Sequence, residues 1–491
     1  MSEIIATIAP DAAQTVTGAA AQAAPRLFDR AIRRIASVWR DMASSVVGEA
    51  PNEGIAAQMR DCLAGRGGEV SARNRAARLA ETFVKLDTEG RVDFLRTLAA
   101  FDSDPEAVSH AARAVQDAID PAARATATAA LRQALEPPRL RLLTQFTTIP
   151  DGMKLLVDLR AFLLDHRDAD PALRALEADL KGVLAQWFDV GFLQLQRIDW
   201  SSPAILLEKL VGYEAVHEIR GWRDLKNRLD SDRRCYAFFH PRMPDEPLIF
   251  VEVALVRGLA ASVQRLLDQK APVLDAADAD TAIFYSISNC QQGLSGISFG
   301  NFLIKRVVEL LSAEFRNLKT FATLSPMPGF RRWLNEALAT DETTPPLLSD
   351  NEQAALLNAA GPADGADGVQ LVDGRAALAT VLDRRGWQRD PAAVRVLEPI
   401  LVRLGARYLL AESRGKRARD PVAHFHLSNG ARVERISLLA DTSEKGVRES
   451  ASLMVNYLYD LAKIEDNHEA YAGEAKRTAS TAVRRLARGW A

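Results

Sequence analysis

The fold is decided within Ala282 to Leu334, which opens with the apolar, β-prone run Ile283-Phe284-Tyr285-Ser286-Ile287-Ser288. Three glycines fall within eight residues in the loop that follows, Gln291-Gln292-Gly293-Leu294-Ser295-Gly296-Ile297-Ser298-Phe299-Gly300. Apolar residues then recur at helical spacing from Phe302 to Phe315, and a second strand covers Thr320 to Ser325. The order strand, glycine-rich loop, helix and strand predicts an α/β unit.

The glycine-rich loop between the first strand and the helix is suited to an anion. Backbone N–H groups at a helix start are unpaired, and the positive end of the helix dipole lies behind them. The spacing matches neither the Rossmann G-x-G-x-x-G pattern nor a Walker A motif, which requires a Lys-Ser/Thr pair after the last glycine. We therefore predict a phosphate or pyrophosphate site; the alternative is that the glycines only form a loop.

Composition bounds the class of protein. The chain has 491 residues, of which 48% are hydrophobic and 26% charged, so it can form two or three globular domains. A formal net charge of −2 argues against general binding to nucleic acid or to an anionic membrane. No apolar run approaches the length of a membrane span. The three cysteines are Cys62, Cys235 and Cys290. Their spacing fits neither a disulfide framework nor a zinc site, which favours a reducing compartment.

Three segments are distinguished along the chain. Residues 1–50 form a poorly defined leader, rich in Ala and Arg, that could imitate a transit peptide but is interrupted by acidic residues. Residues 51–190 have helical periodicity almost throughout and predict a helical bundle. Residues 191–491 introduce strands, of which Cys235 to Phe239 and Leu248 to Leu255 are expected to pair. Ser349 to Asp373 is polar and glycine-spotted, and we predict an inserted loop there.

A pair of histidines stands near the end of the chain. Val422 to Ser428 alternates, Asn429-Gly430 is a strong hairpin signal, and Ala431 to Ile436 resembles a returning strand. His424 and His426 are therefore predicted on one face of a β-hairpin. Two such histidines could bind a metal, but no third ligand is evident. We expect no metal site, and instead that one histidine packs and the other is used.

Taken together, these segments resemble the malonyl-CoA decarboxylase family. The likeness extends from about Gly152 to the C-terminus, while the first fifty residues carry none. Its main stretches are Phe284-Tyr285-Ser286-Ile287-Ser288, Gln291-Gln292-Gly293-Leu294, Phe302-Leu303-Ile304-Lys305-Arg306-Val307-Val308, Leu324-Ser325-Pro326-Met327-Pro328-Gly329-Phe330 and Pro421-Val422-Ala423-His424-Phe425-His426-Leu427-Ser428-Asn429-Gly430-Ala431. Weaker support comes from Trp187-Phe188, Gly191-Phe192-Leu193 and Arg233-Arg234-Cys235-Tyr236.

The resemblance implies an α plus α/β fold, with an all-helical N-terminal bundle and a GNAT-like mixed α/β catalytic domain. It implies that malonyl-CoA is bound by the loop Ser295, Gly296, Ile297, Ser298, Phe299, Gly300 and Asn301, and that Ser325 and His426 are the catalytic pair. The family describes the serine as proton acceptor and the histidine as proton donor, which the sequence alone cannot distinguish from the reverse. It also implies a homo-oligomer, either a dimer or a tetramer.

The chemistry of the implied reaction, malonyl-CoA to acetyl-CoA and CO2, is compatible with these residues. Loss of CO2 leaves a thioester enolate, so the carbonyl is the electron sink and no pyridoxal phosphate, biotin or metal cofactor is required. Alternatives are a GNAT-type acyltransferase, a serine hydrolase and a non-catalytic CoA-binding regulator. We expect no nucleic-acid or membrane partner. The ending Arg488-Gly489-Trp490-Ala491 differs from a peroxisomal signal and favours cytoplasmic residence.

Overall fold

A computed structural model describes residues 38–39, 54–297, 302–340, 346–360 and 373–488. The predicted leader therefore lies outside the described residues, apart from a helical Val38 and Trp39. Trp39 is buried, and its indole N–H donates to the Pro150 carbonyl at 2.9 Å. None of the described helices is both long and apolar enough to cross a membrane.

The first part of the described chain is helical, as predicted. Four of its helices begin after an aspartate whose carboxylate accepts a backbone N–H of the first turn, and three of these have proline just inside the helix. Leu, Ala and Phe side chains at helical spacing form the core between the helices. The helices are α1 Ile55–Leu63, α2 Glu69–Lys85, α3 Thr88–Ala99, α4 Pro105–Asp117, α5 Pro121–Leu135, α6 Pro138–Phe146, α7 Gly152–His166 and α8 Pro171–Trp187.

A mixed sheet follows and forms the centre of the second part. Its hydrogen-bonded order is β1-β2-β3-β4-β5-β10-β6, with β9 paired to β10, and every pair is antiparallel except β4 with β5. The predicted pairing of β2 with β3 is confirmed. The strands are β1 Gln194–Ile198, β2 Arg233–His240, β3 Met243–Val256, β4 Thr281–Asn289, β5 Thr320–Thr323, β6 Ser325–Pro326, β9 Arg432–Ser437 and β10 Met454–Leu458, and a separate pair is formed by β7 Ser413–Arg414 and β8 Arg417–Ala418.

Helices cover both faces of the sheet. The predicted helix after the glycine-rich loop is present, and its apolar side packs into the main core with Ala282 and Phe284 of β4. Leucines of two other helices pack with Phe250 in a second cluster. The helices are α9 Ala204–Tyr213, α10 Trp222–Arg228, α11 Val263–Leu266, α12 Phe302–Glu314, α13 Phe330–Ala339, α14 Asp350–Ala360, α15 Gly374–Asp383, α16 Pro391–Leu410, α17 Pro421–Ser428, α18 Glu444–Ser450, α19 Ile464–Glu474 and α20 Thr481–Leu486.

The sheet splits where β4 and β5 diverge. Their parallel register covers only Thr281 to Phe284 against Thr320 to Thr323. Leu324 N–H still donates to the Phe284 carbonyl at 3.0 Å, but the residues after it, Ser325 and Pro326, pair with β10. A register shift in the β3–β4 pairing opposite Tyr285 adds a bulge at the same level. Ser325 therefore lies at the edge of an opening within the sheet, a feature that the sequence did not predict.

The predicted histidine hairpin is wrong, because Pro421–Ser428 forms helix α17. Asp420 is its N-cap and accepts the Ala423 N–H at 2.8 Å, and Pro421 occupies the first helical position. Asn429 has φ of −91°, whereas a type I′ hairpin needs a positive φ at both central residues, and Gly430 has φ of 78°, so Asn429-Gly430 ends a helix. The strand predicted after it is present as β9.

The predicted insertion loop at Ser349 to Asp373 is wrong in its first half. Residues Asp350–Ala360 form α14, and Ser349 and Glu352 make a reciprocal cap at its start. The polar composition of this segment reflects an exposed helix face. The glycine-spotted part, residues 361–372, lies outside the described residues.

Candidate functional site

The structure brings Ser325 and His426 together although they are 101 positions apart. Ser325 Oγ lies 3.0 Å from His426 Nε2, within hydrogen-bond distance. The serine comes from the short strand β6 at the split of the sheet, and the histidine from α17. Both residues are buried, with exposed fractions of 7% and 2%. Two polar groups thus meet in a site largely shielded from water.

The hydrogen bonds around this pair form a chain with one direction. Ser325 Oγ donates to Thr323 Oγ1 at 2.9 Å, and Thr323 Oγ1 also accepts the Tyr457 N–H. Since the serine hydroxyl has one hydrogen, His426 Nε2–H is the donor in its contact with Ser325. The other ring nitrogen, Nδ1, then accepts the Tyr459 hydroxyl at 2.8 Å.

Burial keeps His426 neutral. It lowers the pKa of this imidazole to about 3, since an imidazolium there would lose its hydration. The ring is stacked on Tyr457, with centroids 4.5 Å apart and planes inclined by 24°. Burial also raises the pKa of Tyr459 well above its usual value, so its hydroxyl stays protonated. Ser325 and its two hydrogen-bond partners among the described residues, Thr323 and His426, are therefore uncharged.

His424 is not part of this cluster. Residues two apart on a helix face different directions, and His424 Nδ1 instead lies 2.8 Å from the Tyr471 hydroxyl. Burial lowers the pKa of His424 to about 4. Within the described ranges, no group of three or more His, Cys, Asp or Glu side chains could hold a metal ion. The two histidines therefore have separate surroundings.

The predicted anion loop is described in its first part only. A 3₁₀ turn, Gln292–Leu294, leads to Gly296, which has φ of 72°, a conformation that favours glycine. Ile297 N–H donates to the Leu294 carbonyl at 3.0 Å and closes the turn. The remaining predicted residues, Ser298, Phe299, Gly300 and Asn301, lie outside the described residues, and α12 begins at Phe302.

A second buried polar cluster on β4 was missed by the sequence analysis. Ser286 Oγ lies 2.9 and 2.7 Å from the two carboxylate oxygens of Glu214, and Ser288 Oγ lies 3.4 Å from one of them. Glu214 also accepts the N–H groups of Val216 and His217. Burial raises the pKa of Glu214. The two serines within a mainly apolar strand were a sequence signal that could have indicated this cluster. No sequence pattern indicates that Thr323 and Tyr459 lie near His426.

Family models and curated proteins match most of the chain. Residues 191–490 match the malonyl-CoA decarboxylase C-terminal domain, and residues 101–188 match the N-terminal domain of the same family. The mitochondrial malonyl-CoA decarboxylase of Anser anser anser is 37% identical over 356 residues, which are 70% of this chain and 69% of that protein. The mitochondrial enzyme of Rattus norvegicus is also 37% identical, with 72% of each protein covered.

Solved structures with similar folds agree with these matches. The malonyl-CoA decarboxylase of Rhodopseudomonas palustris superposes with a TM-score of 0.77 at 42% identity, covering 88% of this chain and 98% of that one. That of Agrobacterium vitis gives 0.78 at 42% identity, covering 88% and 99%. The order of a helical region and a mixed sheet domain, which the sequence predicted, is shared with these structures. The chain belongs to the malonyl-CoA decarboxylase family.

Proposed function

We propose that the chain converts malonyl-CoA to acetyl-CoA and CO2, with Ser325 and His426 acting on the reacting atoms. The observation that carries the role of this pair is the 3.0 Å contact between Ser325 Oγ and His426 Nε2, made in a buried site at the split of the sheet. Membership of the family carries the reaction itself. The family match therefore supports the substrate, and the contact supports the participation of Ser325 and His426.

The reaction requires stabilisation of charge and delivery of one proton. When the C–C bond to the carboxylate breaks, its electron pair enters the thioester carbonyl and forms an enolate. A hydrogen bond aimed at the enolate oxygen typically lowers the barrier by about 3 to 4 kcal/mol, and positioned proton transfer contributes about 10² to 10⁴ in rate. Ser325 and His426 supply hydroxyl and imidazole donors within one hydrogen bond of each other.

The substrate itself charges the histidine in this mechanism. Malonyl-CoA brings a carboxylate into a site where burial holds the pKa of His426 near 3, and a nearby negative charge raises that pKa. The imidazolium so formed donates through Nε2–H toward Ser325 and the substrate. After CO2 leaves, the enolate carbon takes the Nε2 proton, and His426 is neutral with its remaining hydrogen on Nδ1. Loss of that hydrogen and uptake of a solvent proton at Nε2 restore the resting form, in which Nδ1 accepts the Tyr459 hydroxyl. One solvent proton is consumed in each turnover, as the overall reaction requires.

The hydrogen-bond pattern disfavours a serine hydrolase. A hydrolytic serine must donate its hydrogen to the histidine, whereas Ser325 donates to Thr323. The Nδ1 partner of His426 is the hydroxyl of Tyr459 rather than a carboxylate. An acyltransferase and a CoA-binding regulator would use the same ligand without these side chains in these roles.

The finer predictions about the ligand and its setting are part of the same proposal. We infer that Ser295 to Asn301 bind the pyrophosphate of CoA, supported by the left-handed turn at Gly296 that leads toward α12. The GNAT-like character of the domain and its assembly into dimers or tetramers stay predictions. So does cytoplasmic residence, since the curated relatives named above are mitochondrial.

The test is to substitute each member of the pair and identify the products. We expect Ser325→Ala and His426→Asn each to lower turnover of malonyl-CoA by about a hundredfold or more, with CoA binding nearly unchanged. Mass spectrometry of acetyl-CoA and CO2 measures turnover, and calorimetry measures binding. Near-normal rates in either variant would contradict the assigned roles. Free CoA with malonate would indicate hydrolysis, and binding without turnover by the wild type would indicate a regulator.

A further inference from the structure

Arg160 joins the helical region to the glycine-rich loop. This side chain lies on α7 and is 1% exposed. Its Nη1 donates to the Gly293 carbonyl at 2.6 Å, and its Nη2 donates to the Ser295 carbonyl at 2.8 Å. A guanidinium presents its donors in a fixed plane, so two carbonyls held by one guanidinium are fixed relative to each other. The start of the loop is thereby attached to a helix more than 130 positions away in sequence.

The backbone of α7 contacts the same loop one turn earlier. A Cβ added at Gly293 would lie 1.8 Å from the Val157 carbonyl oxygen, closer than any real contact. Val157 and Arg160 are three residues apart and so lie on one face of the helix. Gly293 is required here by the close approach of two backbones. The loop thus rests directly on α7 at two successive points.

The charge of Arg160 is already matched within the protein. Its Nε and Nη2 donate to Glu177 Oε1 at 3.0 and 2.8 Å, and the other oxygen of Glu177 accepts from Arg167 at 2.6 Å. Glu177 is also buried. Arg160 is therefore held from one side by a carboxylate and directed at two loop carbonyls on the other, and it is not available as a ligand for phosphate.

The contact with Ser295 determines which way the following amide points. In a trans peptide the C=O and the next N–H lie on opposite sides of the bond. Since the Ser295 carbonyl is directed inward to Arg160, the Gly296 N–H is directed away from it. Gly296 is partly exposed, and its N–H has no hydrogen-bond partner among the described residues. An outward, unpaired N–H at a left-handed glycine is suited to an anionic oxygen.

We propose that Arg160 is a positioning residue for substrate binding: it holds the Ser295–Gly296 peptide so that the Gly296 N–H faces the pyrophosphate of malonyl-CoA. This inference rests on the proposed function for the identity of the ligand. It extends the substrate site into the helical region, because Arg160 acts on the ligand through the Ser295–Gly296 peptide and its own donors bind Glu177 and two loop carbonyls. Its effect is on the nucleotide end of the substrate and not on the thioester end.

The experiment compares a substrate that carries the group that Gly296 would bind with a shorter substrate that lacks it. Malonyl-CoA carries the pyrophosphate, and malonyl-pantetheine lacks the whole nucleotide. The substrate ratio is kcat/KM for malonyl-CoA divided by kcat/KM for malonyl-pantetheine. We expect this ratio to be about tenfold or more lower in Arg160→Gln than in the wild type, because the KM for malonyl-CoA rises. The kcat at saturating malonyl-CoA should stay within about threefold of the wild type.

Arg139 provides a matched control in the same helical region. It is buried like Arg160 and donates to the Ala99 carbonyl and to Asp179, far from the loop in sequence. Arg139→Gln should lower thermal stability without changing the substrate ratio. If Arg160→Gln lowers kcat/KM equally for both substrates, or not at all, the proposal is overturned. If that variant fails to fold, Arg160→Lys, which keeps the charge but loses the planar fork, is judged by the same ratio.

Binding measurements separate this inference from the proposed reaction. If the wild type does not produce acetyl-CoA, the proposed function fails, but the affinities for CoA and for pantetheine still test Arg160. A CoA preference that is reduced about tenfold or more in Arg160→Gln supports the positioning role. The positioning role is overturned if the wild type binds CoA and pantetheine equally well, or if Arg160→Gln keeps the wild-type preference for CoA.

Discussion

At the scale of single residues, the state of His426 is set by its neighbours. Two tyrosines contact the same imidazole in different ways: Tyr459 through a hydroxyl 2.8 Å from Nδ1, and Tyr457 through its stacked ring. The hydroxyl of Tyr457 is buried without a hydrogen-bond partner in the described part of the chain. One tyrosine therefore orients the ring by a directional bond, and the other restricts it by packing.

These two tyrosines form a matched pair for a test. Tyr459→Phe removes the group that fixes Nδ1, so we expect kcat for malonyl-CoA to fall about tenfold. Tyr457→Phe keeps the stacked ring and removes only an unpaired hydroxyl, so kcat should stay within about twofold. Steady-state kinetics measure both, and circular dichroism verifies the fold. Equal losses in the two variants would show that the hydroxyl on Nδ1 has no particular role.

At the scale of elements, prediction succeeded where the signal was local and failed where it was not. Strand β4, the loop, α12 and β5 follow from periodicity and glycine placement within one stretch. The short run Pro421–Ser428 fits a strand or a helix by pattern, and the Asp-Pro start decided for the helix. The split of the sheet depends on β10, more than a hundred positions after β5, and no local pattern encodes that pairing.

Helix α17 offers a test of how an element positions a functional residue. Asp420 and Asp390 are both N-caps followed by proline, and each accepts a backbone N–H of the first turn. Asp390→Ala should lower the free energy of unfolding by about 1 kcal/mol through loss of the cap, and Asp420→Ala should lower it by more, since Asp420 is also fully buried. Only Asp420→Ala should also lower kcat, by about fivefold or more, since α17 carries His426 and the loss of its cap allows that ring to move.

Denaturant unfolding and steady-state kinetics on the same preparations distinguish these effects. Asp390 caps α16, which contributes none of the four side chains hydrogen-bonded at the Ser325 site. A comparable fall of kcat in both variants would mean that general loss of stability, and not the placement of His426, accounts for it.

At the scale of the whole molecule, the helical region and the sheet domain are joined by hydrogen bonds from side chains to backbone carbonyls. Arg160 binds the glycine-rich loop, and the β2–β3 turn contacts the helical region through the Arg242 guanidinium on the Thr147 carbonyl. His240 Nε2–H also donates to the Trp187 carbonyl at 3.2 Å. The helical region is therefore attached to the sheet domain both at the glycine-rich loop and at the β2–β3 turn.

Binding of malonyl-CoA is expected to be coupled to proton uptake by the protein. The chain has a formal net charge of −2, and in the proposed mechanism malonyl-CoA adds a carboxylate beside His426, whose pKa burial lowers to about 3. Attraction between unit charges about 4 Å apart at an effective dielectric constant of about 20 is worth about 4 kcal/mol, or about a thousandfold in proton affinity. The pKa of His426 is raised on binding, so binding takes up protons, and the uptake grows as the pH falls from 8 to 5.

Calorimetry of malonyl-CoA binding to Ser325→Ala, in buffers of different ionisation enthalpy, measures this proton uptake. Acetyl-CoA, which lacks the carboxylate, and the variant that also carries His426→Asn should show no such uptake, and uptake that persists in either would place the proton elsewhere.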